Sequence, residues 1–116
     1  LRNDPIVIYG DGTQTRDFIF VKDVVNANIL AAVNENANGV YNVATGKAIS
    51  INDIAELVIS ETRSKSKIFY EPERPGDIKH SLASIDVTKS ELNFKPDYDL
   101  KTGLGETIKY FAVQLK

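Results

Sequence analysis

Apolar and polar residues alternate along this chain in short blocks, and Gly, Pro or Asn separates most blocks from the next. Short runs of β-branched and aromatic residues predict four strands, at Ile6–Tyr9, 18–21, 40–43 and 67–70. Longer blocks with helical spacing of apolar residues predict four helices, at 23 to about 34, Ile51–Thr62, 86 to about 92 and 100 to about 115. This mixture of elements predicts a mixed α/β fold.

The predicted helices begin at residues that are suited to capping. Ser50 followed by Asp53 matches a capping box, in which each side chain satisfies a backbone N–H group of the other. An aspartate stands where each of the other helices would begin, and these residues are Asp23, Asp86 and Asp99.

Length and composition fit one soluble domain. A length of 116 residues is ordinary for a single domain, and 42% hydrophobic and 26% charged positions are ordinary for a globular protein. The net charge of −2 and the absence of a basic stripe argue against nucleic acid as the main partner. There is no cysteine, and a single histidine, His80, cannot build a multi-histidine metal site. No apolar run approaches the roughly 18 residues that span a bilayer, so no membrane partner is expected.

Two arginines are the candidate functional residues. Arg16 follows a glycine-punctuated loop, GDGTQTR (residues 10–16), and Arg74 lies in a second one, ERPGD (residues 73–77). A guanidinium group is planar, permanently charged and well matched to phosphate. We therefore predict that the two loops bind a diphosphate, with two ordinary surface arginines as the alternative interpretation. The single Gly-x-Gly lacks the third glycine of a dinucleotide-binding fingerprint.

For the other polar and aromatic residues, residue type alone favours ordinary structural roles over chemistry. Asp77 either caps the next element or accepts hydrogen bonds from sugar hydroxyls, and Asp17 is a turn or pairing residue. Tyr9 and Phe18 are expected core aromatics. His80 has no partner at metal-ligand or triad spacing, so it is assigned no chemistry.

Four sequence blocks together carry a family resemblance. They are PIVIYGDGTQTRDFIFVKDVV (residues 5–25), GVYNVATG (39–46), RPGDIKHSLASID (74–86) and LNFKP (92–96). In this order and spacing they resemble the C-terminal part of extended short-chain dehydrogenases/reductases. Within that group the chain looks most like the NAD-dependent nucleotide-sugar epimerases and dehydratases, above all the UDP-glucose and UDP-N-acetylglucosamine 4-epimerases.

The resemblance implies a role for each candidate residue. Arg16 and Arg74 would contact the nucleotide diphosphate from opposite sides, and Asp77 would contact the ribose. The strand before the first loop would lie along the uracil base.

In that strand, Val7 and Tyr9 would offer backbone groups to the base. Phe18 matches a position near the nucleotide that is often tyrosine in relatives, so a hydroxyl contact found there would be missing here.

The family's catalytic elements are absent from these 116 residues, because no tyrosine is followed by lysine at Tyr-x-x-x-Lys spacing and no Gly-rich NAD loop is present. The resemblance therefore implies an inactive fragment of a cytoplasmic extended Rossmann-type enzyme, which binds no cofactor alone, whereas the parent binds NAD. The fragment would comprise a small substrate-binding lobe, plus a strand and helix within about residues 18–46 that complete the missing dinucleotide-binding sheet. Such an unpartnered edge predicts self-association or association with the N-terminal NAD-binding domain.

The predicted function is to bind the UDP-sugar substrate of a 4-epimerase, which inverts C4 through transient oxidation by NAD. A 4,6-dehydratase parent, a UDP-glucuronate decarboxylase parent and a non-catalytic nucleotide-binding module remain alternatives. A purely structural or interaction domain, in which neither arginine binds a ligand, is a further one.

Overall fold

The computed structural model of the chain describes residues 1–115, and it confirms a mixed α/β fold. Its elements in chain order are β1 (Ile6–Tyr9), β2 (Thr15–Arg16), α1 (Val21–Val33), β3 (Ile49–Ser50), α2 (Ile51–Thr62), β4 (Ile68–Glu71), α3 (Asp86–Leu92) and α4 (Leu100–Gln114).

Two small sheets bring distant parts of the chain together. β1 and β4 are parallel, with Ile6 opposite Ile68 and Tyr9 opposite Glu71. β2 and β3 are antiparallel, and Thr15 of β2 also forms a parallel bridge with His80. As a result, the segments that follow β1 and β4 lie next to each other, and these are the segments that carry the two candidate arginines.

A small hydrophobic cluster forms where α1 meets α3 and the turn after α3. Its buried members are Ala27, Leu92 and Phe94, and the Phe94 side chain is only 1% exposed. Thr88 of α3 is also buried, and its hydroxyl donates to the Asn42 carbonyl at 2.6 Å. This bond satisfies a polar group that would otherwise be costly to bury.

Local capping signals are confirmed at two helices. The Ser50 hydroxyl accepts a hydrogen bond from the Asp53 N–H at 3.0 Å and donates to the Asp53 carboxylate at 2.6 Å. Asp99 accepts from the Thr102 N–H at 2.7 Å at the start of α4. At α3 the prediction is wrong in detail, because Asp86 is already the first helical residue and Ile85 holds the cap position.

The predicted strand at 18–21 is wrong. Residues 18–20 are irregular, and Val21 already begins α1. The Phe20 ring instead packs on Tyr98, with ring centroids 4.7 Å apart, and against Gly103 of α4. A Cβ atom on Gly103 would lie 3.0 Å from the Phe20 Cβ, so the aromatic ring rests on the helix backbone.

The predicted strand at 40–43 is also not formed. Within residues 1–115, this segment pairs with no strand, and Val40 is 95% exposed. A strand requires a neighbour to receive its backbone hydrogen bonds, so an extended apolar sequence alone does not produce one. The two-residue strands β2 and β3 were not predicted, because such short pairings depend on distant partners.

Asp23 does not cap α1 as predicted, because it is the third residue of that helix and only 1% exposed. Its two carboxylate oxygens accept hydrogen bonds from the N–H groups of Asp97 at 2.9 Å and Tyr98 at 3.2 Å. The carboxylate thereby fixes the turn between α3 and α4 against α1.

Replacing this buried acceptor should destabilise the fold. We expect Asp23→Ala to lower the free energy of unfolding by about 1–3 kcal/mol, because two N–H groups lose their partner. Urea-induced unfolding monitored by circular dichroism measures this change. Asp97→Ala is the matched control, since it removes an exposed carboxylate but keeps the backbone N–H that Asp23 binds. An equal loss in both variants would contradict the assigned role.

Candidate functional site

The first arginine loop, residues 10–16, packs against the beginning of α2. The Gly12 carbonyl accepts from the Asn52 N–H at 3.0 Å, and the Asn52 side-chain amide donates to the Asp11 carbonyl at 3.0 Å. Gly12 is buried and has a φ of +74°, and a Cβ atom there would lie only 1.8 Å from the Asn52 Oδ1 atom. The positive φ therefore favours glycine here, and any other residue would also have to displace the Asn52 side chain.

Arg16 is half-buried at the end of this loop, in β2, where it pairs with Ile49. Its guanidinium Nη1 donates to the carbonyl oxygen of Thr15 at 2.7 Å. This bond uses one N–H of five, so the remaining donors of the guanidinium fork can bind an anion.

Arg74 lies on an exposed turn after β4. The Asp77 N–H donates to the Arg74 carbonyl at 3.2 Å, and Gly76 between them has a φ of +87°. With Pro75 in the second position, this geometry is that of a type II turn, in which glycine suits the third position. The turn therefore places Arg74 and Asp77 at its two ends.

The aromatic ring of Tyr9 contacts the guanidinium group of Arg74. The guanidinium carbon lies 3.6 Å from the centroid of the Tyr9 ring, which is within the range of a cation–π contact. Because Tyr9 ends β1, this contact connects the second arginine to the strand that precedes the first arginine loop.

Backbone hydrogen bonds also join the two arginine-bearing segments. The Thr15 N–H donates to the Lys79 carbonyl at 2.9 Å, and the Ser81 N–H donates to the Thr15 carbonyl at 3.1 Å. The Lys79 ammonium group lies 3.0 Å from an Asp11 carboxylate oxygen. The residue just before Arg16 is thus paired with the segment that follows the Arg74 turn.

The Asp11 carboxylate accepts hydrogen bonds from both segments at this junction. Hydrogen bonds from the Thr13 hydroxyl and N–H, and then from Lys79, hold the pKa of the Asp11 carboxyl well below its usual range. The group therefore stays ionised at neutral pH and serves as acceptor for both partners.

The remaining predicted site residues lie on the same or adjoining segments. The carbonyl of Tyr9 accepts a hydrogen bond from the Gln14 side chain at 2.7 Å, and Val7 is 42% exposed on β1. Phe18 lines an open cleft of 610 Å³ with Thr45 and Tyr98. Neither Arg16 nor Arg74 lines this cleft, so the structure groups Phe18 with different neighbours from the arginines.

Asp17 has partners that the sequence did not predict. One carboxylate oxygen of Asp17 accepts from the Thr45 N–H at 2.9 Å and from the Thr45 hydroxyl at 2.6 Å, and the other accepts from the Gly46 N–H at 2.8 Å. Asp17 therefore fixes the turn at 45–46 beside Arg16. Its place in the TQTRDF block was the available signal, but its partner was not predictable.

These residues can hold an anion and neighbouring hydroxyl groups. Two guanidinium groups supply charge-assisted donors, and the exposed Asp77 carboxylate supplies an acceptor. Among residues 1–115, no group of three His, Asp or Glu side chains is placed to bind a metal ion. No helix in the same range is long and apolar enough to cross a bilayer.

Comparison with known proteins decides the family. The family described as GDP-mannose 4,6 dehydratase matches residues 1–107. The chain belongs to this family. The resemblance to extended short-chain dehydrogenases/reductases that act on nucleotide sugars is thereby confirmed.

Relatives of the family differ in the reaction that their names describe. The UDP-N-acetyl-alpha-D-glucosaminuronate decarboxylase of Bacillus cytotoxicus is 34% identical over 118 residues, which is 96% of this chain and 36% of that protein. The chain spans about a third of the length of the curated relatives it matches.

Solved structures agree with the family and with the fold of a partial chain. The UDP-N-acetylglucosamine 4-epimerase of Methanobrevibacter ruminantium, in complex with UDP-N-acetylmuramic acid, is 49% identical with a TM-score of 0.88, over 95% of this chain and 35% of that one. The UDP-glucose 4-epimerase of Thermotoga maritima with UDP-glucose is 34% identical with a TM-score of 0.93, over 99% and 37%.

NAD is present in a further structure of the family. The UDP-glucuronic acid 4-epimerase of Bacillus cereus, in complex with UDP-glucuronic acid and NAD, is 29% identical with a TM-score of 0.89, over 98% of this chain and 37% of that one. NAD is therefore a cofactor within this family, and the other two-thirds of that chain are unmatched here.

The packing of the first arginine loop against α2 can be tested directly by substitution of Gly12. Gly12→Ala should displace Asn52 and strain the backbone, which lowers the midpoint of thermal unfolding. Gly105→Ala is the matched control, because Gly105 lies inside α4 with open space around its Cβ position, and alanine there should stabilise by about 0.5–1 kcal/mol. Differential scanning fluorimetry measures both changes, and an unchanged midpoint for Gly12→Ala would contradict the packing described here.

Proposed function

We propose that this chain is the UDP-sugar-binding portion of an NAD-dependent nucleotide-sugar 4-epimerase, in which Arg16 and Arg74 bind the diphosphate. The observation that carries the proposal is the pairing of Thr15 with the segment that follows the Arg74 turn. This pairing ties two permanently charged guanidinium groups, which come from sequence positions far apart, to one junction. Two such groups suit a diphosphate, because each offers donors to a different phosphate.

The nucleoside end of the ligand has matching partners nearby. Asp77 is exposed at the end of the Arg74 turn, where its carboxylate can accept hydrogen bonds from ribose hydroxyls. Val7 and Tyr9 lie on β1, which pairs through one edge with β4. We assign the backbone groups of these two residues to the uracil base, and the half-buried Phe18 to an apolar contact near the nucleotide.

The chemistry of the complete protein requires groups from outside these residues. NAD, when bound, supplies reversible hydride acceptance at the sugar C4. The 116 residues contain neither a Tyr-x-x-x-Lys pair nor a Gly-rich dinucleotide loop, so their own part is to bind and orient the nucleotide. Holding the nucleotide end firmly contributes to catalysis, because binding energy from a remote group positions the reacting carbon.

The names of similar proteins favour epimerisation as the reaction of the complete protein. Both structures described above that act on UDP-glucose or UDP-N-acetylglucosamine are named 4-epimerases, and one of them is 49% identical to this chain. Decarboxylation is the second candidate, because the 34% identical relative from Bacillus cytotoxicus is named a decarboxylase. Product analysis with UDP-glucose, UDP-N-acetylglucosamine and UDP-glucuronate separates the two, since only a decarboxylase releases CO₂.

A second surface fits a role in domain packing. Four apolar side chains of α1 recur at every fourth position and are at least half exposed, namely Val21, Val25, Ile29 and Val33. The unpaired segment at 40–43 follows this helix, and Val40 is 95% exposed. We propose that about residues 18–46 pack on the dinucleotide-binding domain of the complete protein, because apolar stripes of this kind mark interfaces.

The diphosphate proposal predicts a loss of nucleotide affinity in two variants. Arg16→Ala and Arg74→Ala should each weaken UDP binding by the complete protein roughly 10- to 150-fold, which corresponds to about 1.5–3 kcal/mol for a lost charge-assisted contact. Isothermal titration calorimetry with UDP measures this loss.

Lys65→Ala serves as the charge-matched control. It also removes one positive charge, and the Lys65 residue contributes its backbone N–H, which remains, to a bond with Asn3. Retention of full UDP affinity by both arginine variants would overturn the proposal. Absence of UDP binding by the unmodified protein would favour a structural or interaction domain instead.

The packing proposal predicts that the 116-residue chain associates when it is produced alone. Light scattering after size exclusion should show a mass that rises with concentration, and Val25→Lys with Ile29→Lys should reduce it. Val113→Lys provides the control, because Val113 is 69% exposed on α4 and lies outside the stripe. A monomeric mass at every concentration tested would contradict self-association.

A further inference from the structure

Thr15, just before Arg16, joins the first arginine loop to the segment that follows the Arg74 turn. On one side it pairs with Ser50 of β3, and on the other it pairs with His80. Its carbonyl oxygen accepts two hydrogen bonds, one from the Ser81 N–H and one from the Arg16 guanidinium. The orientation of Arg16 and the position of the segment after the Arg74 turn are thus set by the same peptide group.

A side-chain hydrogen bond accompanies this backbone pairing. The Thr15 hydroxyl oxygen lies 3.0 Å from the Nδ1 atom of His80. A threonine hydroxyl can donate to an imidazole nitrogen that carries no hydrogen or accept from an imidazole N–H, so the ring tautomer decides which group donates in this contact.

The Arg74 turn needs such anchoring because it has little support of its own. Every residue from 71 to 80 is exposed, and two prolines and a glycine exclude regular structure between Glu71, which ends β4, and His80, which forms the bridge with Thr15. Its beginning is held by the bond from the Gly10 N–H to the Glu71 carbonyl at 2.8 Å. Its end is held by the pairing of Lys79 and Ser81 with Thr15.

We propose that Thr15 and His80 are positioning residues, whose hydroxyl–imidazole contact sets the distance between Arg16 and the Arg74 turn for a nucleoside diphosphate. This inference rests on the proposed binding of UDP by the two arginines. In this proposal, Thr15 and His80 do not contact the ligand themselves. They act by positioning the arginines. The Lys79–Asp11 ion pair lies beside this contact but is exposed on both sides, and such pairs contribute little.

The proposal makes a prediction that separates positioning from general destabilisation. Thr15→Val keeps the shape of the side chain but removes the hydroxyl, and His80→Ala removes the imidazole from an exposed site. Each variant of the complete protein should bind UDP roughly 2- to 10-fold more weakly, the range for one lost hydrogen bond. Binding of uridine, which has no diphosphate, should be unchanged, and calorimetry with both ligands measures the ratio.

Conservative variants and a double variant complete the test. Thr15→Ser and His80→Asn retain groups able to hydrogen bond and should restore most of the UDP affinity. The double variant Thr15→Val with His80→Ala should be no weaker than either single variant, because both remove the same contact.

The measurements distinguish the positioning role from the diphosphate site. If Arg16→Ala and Arg74→Ala lower UDP affinity but Thr15→Val and His80→Ala do not, the positioning role is overturned and the diphosphate site stands. An equal loss of UDP and uridine binding also overturns it, since the change would then not be specific to the diphosphate. If the unmodified protein has no preference for UDP over uridine, the diphosphate site itself fails.

Discussion

The lack of a side chain at Gly12 is the constraint on which the arrangement of this chain depends. Because no Cβ atom fills the space, Asn52 can donate from both its backbone and its side chain to the loop before Arg16. The Ile51 N–H then donates to the Gln14 carbonyl at 3.0 Å, and β3 pairs with β2 directly afterwards. A run of consecutive hydrogen bonds therefore starts at the glycine and ends at the first arginine.

The same region shows how the two arginine-bearing loops are held in place in this part of the family fold. Its candidate ligand groups are charged side chains on loops, while the loops are held by strand pairs and a helix terminus. Loops positioned by a rigid framework are a frequent place for binding residues. Under the proposed function, such an arrangement would separate affinity for a common nucleotide from selectivity for a particular sugar, so that one binding portion could serve members with different reactions.

Much of the framework was predictable because its signals are local. β1 and α2 lie where the residue pattern placed them, and the Ser50 capping box and the Asp99 cap form as expected from neighbouring residues. Residues 18–20 were mispredicted because Phe20 finds its partner in Gly103 of a distant helix.

For the site, residue type and family resemblance singled out the two arginines, but not what holds them. Asp17 and Thr45 are 28 positions apart, and Thr15 and His80 are 65 positions apart. Contacts of this kind are decided by the three-dimensional path of the chain, so periodicity and composition carry no signal for them. Tyr9 illustrates the same limit, since its aromatic ring was predicted as core and instead supports a guanidinium group.

The parallel pairing of β1 with β4 has a consequence for how the chain folds. These strands join segments roughly sixty residues apart, so pairing closes a long loop and incurs a corresponding entropic cost before any contact compensates it. During synthesis, β1 leaves the ribosome well before its partner exists, with its backbone groups unpaired. Pairing of this order favours slow folding and a late assembly of the junction between the two arginine-bearing segments, after α1 and α2, which lie between the strands, have had time to form.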